Sequence, residues 1–462
     1  MTTDILEPNH ARRSDAPQMT PHQRLIVVLL LGTNFMLSAD FSILNIALPE
    51  VGQAVGLEVS KFPWVATAFA LPAAGLSLLF GRLGDLYGLR RIYLIGLALL
   101  AASSLLGGIA SEPVLLLAAR TLQGMATAMT GPTALALLIK TFADERQRAR
   151  VLGMNGALLS GGFTFGALAG GMLVGVLSWR WAFLINVPIA LVILAVTPFA
   201  IPASNPRDGV RLDISGAISV TLGLLAIVFG FTEQSSLALV VGVALLAFFF
   251  WIERGASAPL VAIEMLAWPS VRWGNVAVLA IFSMEAGLIY LLTLYLQEVL
   301  HLGPLEAGLV FGVPGMASIV AGILAGRIVG RRGARPVLLV AFLVQGACTA
   351  PLLLLTSDPL SMWLLIPALF AGFFGHITAV VAATVAATSK VPEASKGLAS
   401  GLMTTSQRVA STIGIPALAR VMAMRTDLLS GFHLALAADV LFTSIAVIMI
   451  GAGLRQRQPA NV

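Results

Sequence analysis

The feature that most constrains this chain is a succession of apolar runs, most about 20 residues long, separated by short polar segments. A helix of ~20 apolar residues is long enough to cross the hydrocarbon core of a bilayer. Only helices and closed β-barrels satisfy every backbone group there. The runs are apolar on every face and do not alternate, which excludes a barrel. The sequence therefore predicts an all-α integral membrane protein.

The composition supports this class and excludes several others. The chain is 58% hydrophobic and 11% charged, against roughly 25% charged residues in soluble domains. Its net charge of +6 comes from basic residues in short loops, which the positive-inside rule explains, so we expect no nucleic-acid partner. His376, Cys348 and the methionines lack metal-ligand spacing. Without an ATP-binding loop or a nucleophile–base constellation, the sequence indicates neither an enzyme nor an ATP-driven pump.

We expect fourteen transmembrane helices, of which the eighth is the shortest. The predicted spans are 25–48, 62–81, 91–110, 114–139, 151–176, 181–201, 213–232, 237–252, 273–296, 304–326, 336–355, 359–386, 396–424 and 432–454.

The distribution of Lys and Arg predicts the orientation. With the N-terminus inside, the outward loops hold only Lys61, Arg180 and Arg425, and nearly all other basic residues outside the spans face inward. Basic residues concentrate on the cytoplasmic side of membrane proteins. We therefore predict that both termini are cytoplasmic, which requires an even number of spans.

A glycine-punctuated charged turn, residues 81–91 (GRLGDLYGLRR), occurs again in weaker form at residues 326–336 (GRIVGRRGARP). Both copies have Gly-Arg-apolar, then Gly at the seventh following position and Arg at the ninth. Two related turns predict two related six-helix units, as in carriers built from parallel repeats. The predicted division is a cytoplasmic tail 1–24, an N-terminal six-helix bundle 25–201, a linker with two additional helices 202–272, a C-terminal six-helix bundle 273–454 and a tail 455–462.

Charges within predicted spans are the best sequence evidence for a functional site. The acids are Asp40, Glu285 and Asp439, and basic residues include Arg120 and Arg408. A charge at bilayer depth is costly unless it is paired or hydrated, so each is a functional candidate. Burial disfavours the charged form of a carboxyl group, so such a group can bind a proton on one side and release it on the other.

Each of these charges also has a structural interpretation. Glu285 is the stronger candidate for a proton carrier, the alternative being a neutral acid bonded to a neighbouring helix. Asp40 either carries protons or orients Arg120 or backbone groups, and Asp439 is interpreted as lying at a hydrated helix end. Arg120 either tunes a nearby acid or forms a structural ion pair. Arg408 either faces an aqueous cavity or fixes helix packing.

Glycines in the fifth span and in the charged turn predict close contacts and a gate. Small residues at helical spacing let helices approach closely, either as a sliding interface or as a static contact. In the charged turn, Asp85 lies among arginines. This predicts that Asp85 binds the other unit, as a latch, when the cytoplasmic side is closed. The alternative is an anchored loop. The packing candidates are Gly162, Gly166, Gly170 and Gly171, and the gating candidates are Gly81, Asp85, Gly88, Arg90 and Arg91.

Four segments together resemble the major facilitator superfamily, in its fourteen-span drug:proton antiporter branch. Residues 81–91 resemble the superfamily's signature loop, and residues 120–124 (RTLQG) its fourth-span motif. Residues 40–49 (DFSILNIALP) and 181–188 (WAFLINVP) resemble motifs of the antiporter branch. The similarity covers nearly all of residues 25–454.

The resemblance implies alternating access between two six-helix bundles in the inner (plasma) membrane, with export driven by inward proton movement and no other cofactor. It places Asp40 and Arg120 in a proton-linked network and Asp85 at the cytoplasmic gate. One departure concerns the antiporter motif, in which the family has proline where this chain has Ala167. The absence of this proline weakens the inference that the fifth span is kinked and that transport is obligate antiport.

We therefore expect a monomeric, proton-coupled exporter of amphipathic small molecules, lipophilic cations among them. Its cavity is predicted to hold Asp40 and Glu285, with Asn45, Phe282, Met284, Tyr290, Tyr295 and Arg408 contributing to the lining. One alternative is a dedicated exporter, or an importer, of one metabolite or antibiotic. Another is a membrane sensor that transports nothing.

Overall fold

The computed structural model describes residues 19–142, 144–203, 213–256, 263–388, 391–392 and 396–454. The predicted tail 455–462, most of the tail 1–24 and parts of the linker 202–272 lie outside these residues. The helices of the described part are α1 (Pro21–Ala54), α2 (Pro63–Gly75), α3 (Ser77–Tyr87), α4 (Leu89–Gly108), α5 (Pro113–Thr141), α6 (Glu145–Met172), α7 (Trp181–Leu184), α8 (Asn186–Ala200), α9 (Ile214–Thr232), α10 (Ser236–Gly255), α11 (Pro269–Leu294), α12 (Pro304–Arg332), α13 (Ala334–Thr349), α14 (Met362–Thr388), α15 (Lys396–Met422) and α16 (Leu428–Gly453).

Eleven of these helices, or helix pairs that continue one another, are long and apolar enough to cross a membrane. A twelfth span results if α2 and α3, which meet at a 49° bend, count as one. The predicted fifth and thirteenth spans correspond to α6 and α15, which are helical but are not among the twelve. The chain is a multi-span membrane protein, and the count of fourteen stays a prediction.

The helices pack in two sets of six spans with the same pairwise pattern, where α2 with α3 and α7 with α8 each count as one span. In the first set, α1 packs against α6, α4 against α5, and α2 against α5. In the second set the corresponding pairs are α11 with α15, α13 with α14, and α12 with α14. The two sets meet where α6 packs against α12 and where α2 packs against α15, while α9 lies against α2 and α15 with α10 outside it. We call the first set (α1 to α8) the N half and the second (α11 to α16) the C half.

The charged segment 81–91 is helical rather than a loop, which corrects the sequence interpretation. α3 continues to Tyr87, α4 begins at Leu89, and the reversal is made by Gly88 alone, with φ of 98°. In the second copy, Gly333 with φ of 82° lies between α12 and α13. Positive φ is readily accessible only to glycine, so this requirement explains the glycine shared by the two copies.

The halves are joined at one end of the helix bundle. We call the end where α1 begins the N-terminal face and the end near Ala54 the distal face. At the distal face Gln53 Nε2 donates to Glu298 Oε1 over 2.9 Å, and Gln297 Nε2 donates to the Ile46 carbonyl over 2.8 Å. A continuous apolar cluster that includes residues of both halves lies beside these bonds. The described conformation is therefore closed at the distal face.

Candidate functional site

Asp40 on α1 and Arg120 on α5 form a buried ion pair inside the N half. Arg120 Nη1 lies 3.6 Å from Asp40 Oδ2, and both side chains are 2% exposed. Asn186, at the start of α8, donates a hydrogen bond to Asp40 Oδ1. The predicted partnership between Asp40 and Arg120 is therefore present, with an amide as a third member.

The remaining donors of Arg120 are directed to other groups of the N half. Its Nε donates to the Val65 carbonyl over 3.1 Å, and Nη1 donates to Gln123 Oε1 over 2.8 Å. Gln123 in turn donates to Ser104 Oγ over 2.9 Å. The guanidinium also lies 4.3 Å from the centre of the Phe69 ring. Four helices thereby hold one cation, which is the arrangement expected of a positioning network.

Glu285 on α11 pairs with His376 on α14 inside the C half. His376 Nε2 lies 3.2 Å from Glu285 Oε1; the Glu285 side chain is 20% exposed and that of His376 only 3%. The imidazole packs against Phe282 and Phe373, with ring centroids 5.8 and 5.7 Å away. The aromatic contacts fix the ring so that one nitrogen faces the carboxyl group.

A narrow pocket with a cavity volume of about 10 Å³ adjoins this pair, between α11, α13 and α14. Glu285, His376, Gln345 and Cys348 are among its lining residues. Within the described part of the chain, His376 Nδ1 and Gln345 Oε1 are buried without a hydrogen-bond partner. Buried polar atoms are normally paired, so these two atoms indicate room for a further polar group beside the Glu285–His376 pair.

The two acid–base pairs occupy related places in their halves. In each half an acid on the first helix faces a basic side chain on the fourth, since α5 and α14 take equivalent positions in the packing pattern. The basic group differs in chemistry. Arginine remains protonated in proteins, whereas imidazole changes charge near neutral pH. The N half therefore holds a guanidinium at this place and the C half an imidazole.

The two acids do not share one cavity in this conformation, which corrects the sequence prediction. Arg120, the partner of Asp40, lines a separate, narrow pocket of about 10 Å³ with Asn45 and Phe41, between α1, α2 and α5. Glu285 belongs to the C-half pocket. Each acid lies inside one bundle, so a single central cavity between the bundles is not how they are arranged.

Three aromatic or sulfur-containing neighbours of Glu285 pack between helices instead of lining its pocket. Met284, Tyr290 and Tyr295 are at most 1% exposed. Thr443 Oγ1 lies 3.4 Å from the Met284 sulfur, and Tyr295 stacks on Phe432 with ring centroids 4.9 Å apart. Residues adjacent in a helical sequence point in different directions, and only Phe282 of the four predicted neighbours contacts His376.

The predicted packing glycines of α6 serve two interfaces. A Cβ on Gly162, Gly166 or Gly170 would come within 2.7, 2.5 or 2.9 Å of α1 backbone atoms. A Cβ on Gly171 would come within 2.6 Å of the Pro304 carbonyl oxygen at the start of α12. α6 is thus in close contact with its own half on one side and with the C half on the other.

The gating candidates lie at the junction of α3 and α4. Gly88 makes the turn, Gly81 has only ordinary contact with Pro132 at 3.8 Å, and Asp85 is half-buried. Arg90 is half-buried and Arg91 exposed at the start of α4. α3 packs on α5, α4, α2 and α9. The proposed latch between Asp85 and the other half stays a prediction.

Two further membrane charges have distinct environments. Arg408 lies where α15 meets α2, with Nη1 3.5 Å from the Ala73 carbonyl oxygen. Asp439 on α16 is 2% exposed, and its Oδ2 has no hydrogen-bond partner in the residues described. The interpretation of Asp439 as a hydrated helix end is wrong, because α11, α13 and α15 cover this helix.

Comparison with known proteins identifies the family. Residues 30–415 match the model of the Major Facilitator Superfamily. The chain belongs to the Major Facilitator Superfamily. It is therefore a membrane transporter by family. It is 34% identical to the puromycin resistance protein pur8 of Streptomyces alboniger, over 84% of this chain and 80% of that protein. It is also 34% identical to the cephamycin export protein CmcT of Amycolatopsis lactamdurans, over 92% of this chain and 90% of that protein.

Other superfamily members show the same relationship. The chain is 30% identical to the multidrug resistance protein Stp of Mycobacterium tuberculosis, over 84% of this chain and 74% of that protein. Among solved structures, the human organic anion transporter MFSD10 superposes with a TM-score of 0.63 at 18% identity, covering 94% of this chain and 100% of that one. A bacterial homologue of the lysosomal transporter Spinster gives 0.64 at 15% identity, covering 95% and 98%. The two structures establish the fold.

Sequence reasoning missed two members of the candidate site. His376 was dismissed because its sequence neighbours offer no metal ligand, although a histidine inside an apolar span is itself a signal of function. Asn186 belongs to the segment 181–188 but was not assigned a role. Both pair with an acid that is far away in sequence, at separations of 91 and 146 residues.

Proposed function

We propose that this transporter is a proton-coupled exporter of amphipathic small molecules that works by alternating access. The similarity to proteins named for puromycin resistance, cephamycin export and multidrug resistance supports export of drug-like compounds. The observation that carries the proton-coupling proposal is the pairing of Glu285 with His376 at 3.2 Å, beside a narrow pocket and with 20% of the Glu285 side chain exposed. The proton gradient is the energy source, and no other cofactor is required.

In this mechanism the Glu285–His376 pair binds and releases the transported proton. A carboxyl group and an imidazole in contact titrate as a unit. Deprotonated at both groups, the pair carries one negative charge, and a proton taken up by either group converts it to a neutral or zwitterionic form. Because a net charge in a low-dielectric pocket is costly, protonation changes which arrangement of surrounding helices is most stable. Proton binding is thereby linked to the position of α14 relative to α11.

The Asp40–Arg120–Asn186 network holds the N half in a fixed geometry while the C half titrates. Arginine cannot release its proton in this setting. Arg120 on α5 bonds to α2 and pairs with Asp40 on α1, which in turn accepts from α8, so the network joins four spans in one body. We propose that residues 25–201 and residues 273–454 form two bodies that rock against each other. Residues 202–272 then contain an inserted helix pair. The repeated packing pattern supports this division.

We place the N-terminal face in the cytoplasm and the protein, as a monomer, in the inner membrane. The distribution of basic residues supports this orientation. The distal face is then external, and the described conformation is one in which the external side is closed. Asp85, with Gly88 as its turn, lies at the cytoplasmic face, where a gate is needed when the molecule opens outward.

Reconstitution into vesicles with an imposed pH gradient tests the proposal. Rhodamine 123, a lipophilic cation, and a neutral amphiphile are offered as substrates, with and without a protonophore. The proposal predicts uptake against a concentration gradient that collapses when the protonophore is added. Uptake that is insensitive to the protonophore, or no flux of any compound across the panel, would contradict it.

A dedicated exporter of one antibiotic is the second candidate. Its support is that two similar proteins are named for single compounds, puromycin and cephamycin, and that the two pockets are small. A panel of substrates separates the broad exporter from the dedicated one. Transport of one compound and of no other compound in the panel would establish the dedicated exporter.

A further inference from the structure

Arg408 differs from Arg120 in lacking an acidic partner. No carboxylate oxygen of the described residues lies within 4.0 Å of its guanidinium, whose hydrogen bond is the one to the Ala73 carbonyl at 3.5 Å. A guanidinium has five N–H donors. Arg120, by comparison, contacts a carboxylate, a side-chain amide, a backbone carbonyl and an aromatic ring.

The acceptor that Arg408 does reach is already in use. The chain bends near Leu76, between α2 and α3, and Ser77 Oγ donates to the same Ala73 carbonyl. A bond at 3.5 Å is at the outer limit for a hydrogen bond. This carbonyl is therefore a weak partner for a full positive charge, and most of the hydrogen-bonding capacity of Arg408 is available.

The guanidinium packs directly against a glycine of the N half. A Cβ on Gly131 of α5 would lie 3.2 Å from Arg408 Nη2, so a larger residue there would crowd the charged group. The Arg408 side chain thus extends from α15 of the C half towards α2 and α5 of the N half. The residue is half-buried at the place where the two halves meet.

We propose that Arg408 is the recognition site for a carboxylate on the transported amphiphile. A planar guanidinium binds a carboxylate through two parallel charge-assisted hydrogen bonds. A bound carboxylate neutralises the unpaired cation at the junction of the halves, where alternating access changes the contacts. This inference rests on the proposed transport function and extends its substrates from lipophilic cations to acidic and zwitterionic compounds.

The test compares two dyes that differ only in the carboxylate. Rhodamine 110 has a free carboxylate, and rhodamine 123 is its methyl ester. Binding to the purified protein in detergent is followed by fluorescence polarisation for the wild type, Arg408→Gln and Arg408→Lys. Arg420→Gln, on the same helix, is the control. We expect Arg408→Gln to weaken rhodamine 110 binding by about tenfold or more and rhodamine 123 binding by less than about twofold. Arg408→Lys retains the positive charge but cannot form the two parallel hydrogen bonds, so we expect an intermediate loss of rhodamine 110 binding.

Each contrary result is informative. Equal weakening for both dyes would mean that Arg408 only holds α15 against α2, and would overturn the proposal. The proposal would also be overturned if the wild type bound rhodamine 110 no more tightly than rhodamine 123, or if Arg408→Gln kept the wild-type preference for rhodamine 110. The assay needs no proton gradient, so failure of proton coupling, which is seen as protonophore-insensitive rhodamine 123 flux in vesicles, is distinguishable from failure of carboxylate recognition.

Discussion

His376 Nε2 lies 3.2 Å from Glu285 Oε1, and this contact is the C-half counterpart of the Asp40–Arg120 pair in the N half. In both halves the acid is on the first helix and the base on the fourth. Only the C-half base can change its charge near neutral pH. This difference assigns the proton to one half and structural support to the other, and the predictions below follow from that assignment.

Replacing His376 by Gln should flatten the dependence of transport on pH. Gln can still donate a hydrogen bond to Glu285, but it cannot take up a proton. We expect the dependence of the exchange rate on pH to shrink several-fold in the variant, because an imidazole can change its charge and an amide cannot. His433→Gln is the matched control, because His433 bonds to the Leu355 carbonyl outside the pair. An unchanged pH profile in His376→Gln would show that the imidazole does not titrate during transport.

Removing one member of the N-half pair should destabilise the protein more than removing both. Arg120→Gln leaves a buried carboxylate, and breaking a buried pair in this way costs about 3–5 kcal/mol. The double variant with Asp40→Asn leaves two neutral groups, so its unfolding temperature in detergent should recover part of the loss. If the two single losses were simply additive, Asp40 and Arg120 would not be interacting.

Gly171→Ala should disfavour the conformation closed at the distal face. The added Cβ would come within 2.6 Å of the Pro304 carbonyl oxygen and 3.1 Å of the Gly308 Cα on α12. Spin labels at the exposed positions 58 and 301, in a Cys348→Ser background, would report the separation of the halves. We expect a larger population with a long distance in Gly171→Ala.

Gly161→Ala on the same helix is the control for this prediction. It brings the same gain in helix propensity, but nothing lies within 4 Å of its Cβ. Identical distance distributions for the two variants would show that contact between α6 and α12 does not control closure.

The contact between Lys61 and Glu233 should help to hold the α9–α10 pair only above acidic pH. Hydrogen bonds from Lys61 and Trp64 lower the pKa of Glu233 below its ordinary value of 4.5. A lowered folded-state pKa gives stability that is complete above the unfolded pKa and is lost as the pH falls through the folded value. The pair is partly exposed, at 41% and 30%, so the contribution is at most about 1 kcal/mol.

The comparison of Glu233→Gln with the wild type measures this contribution. The difference in unfolding temperature should be small at pH 7 and should shrink further in acid, at about pH 3.5. Glu112→Gln, a surface change on the same side of the protein, is the control. A difference that grows as the pH falls would contradict the sign of the linkage.

The sequence predicted the class of fold because long apolar runs permit few alternatives, and it predicted the Asp40–Arg120 partnership because both residues lie in recognisable motifs. It did not predict the Glu285–His376 pair. Helix periodicity reports which residues share a face, but not which faces of distant helices meet. For the same reason Met284, Tyr290 and Tyr295 were assigned to a cavity that they do not line.

The charged segment 81–91 shows a second limit. Its charges suggested a loop, yet the structure continues α3 to Tyr87 and turns at Gly88 alone. Charged residues such as Arg have high helix propensity, and at the end of a span they can remain hydrated. The charged composition of the segment predicted the end of an apolar span, whereas the helix itself ends at Gly88, which has positive φ.

Substrate-driven proton movement in vesicles that contain Glu285→Gln tests the central claim most directly. Gln is nearly isosteric with a protonated Glu but cannot release a proton. The account predicts that an outward rhodamine 123 gradient drives no proton flux in this variant, while exchange of labelled for unlabelled rhodamine 123 continues. Glu112→Gln should behave as the wild type in both assays. Proton flux at the wild-type rate through Glu285→Gln would contradict the assignment of Glu285 as the proton carrier.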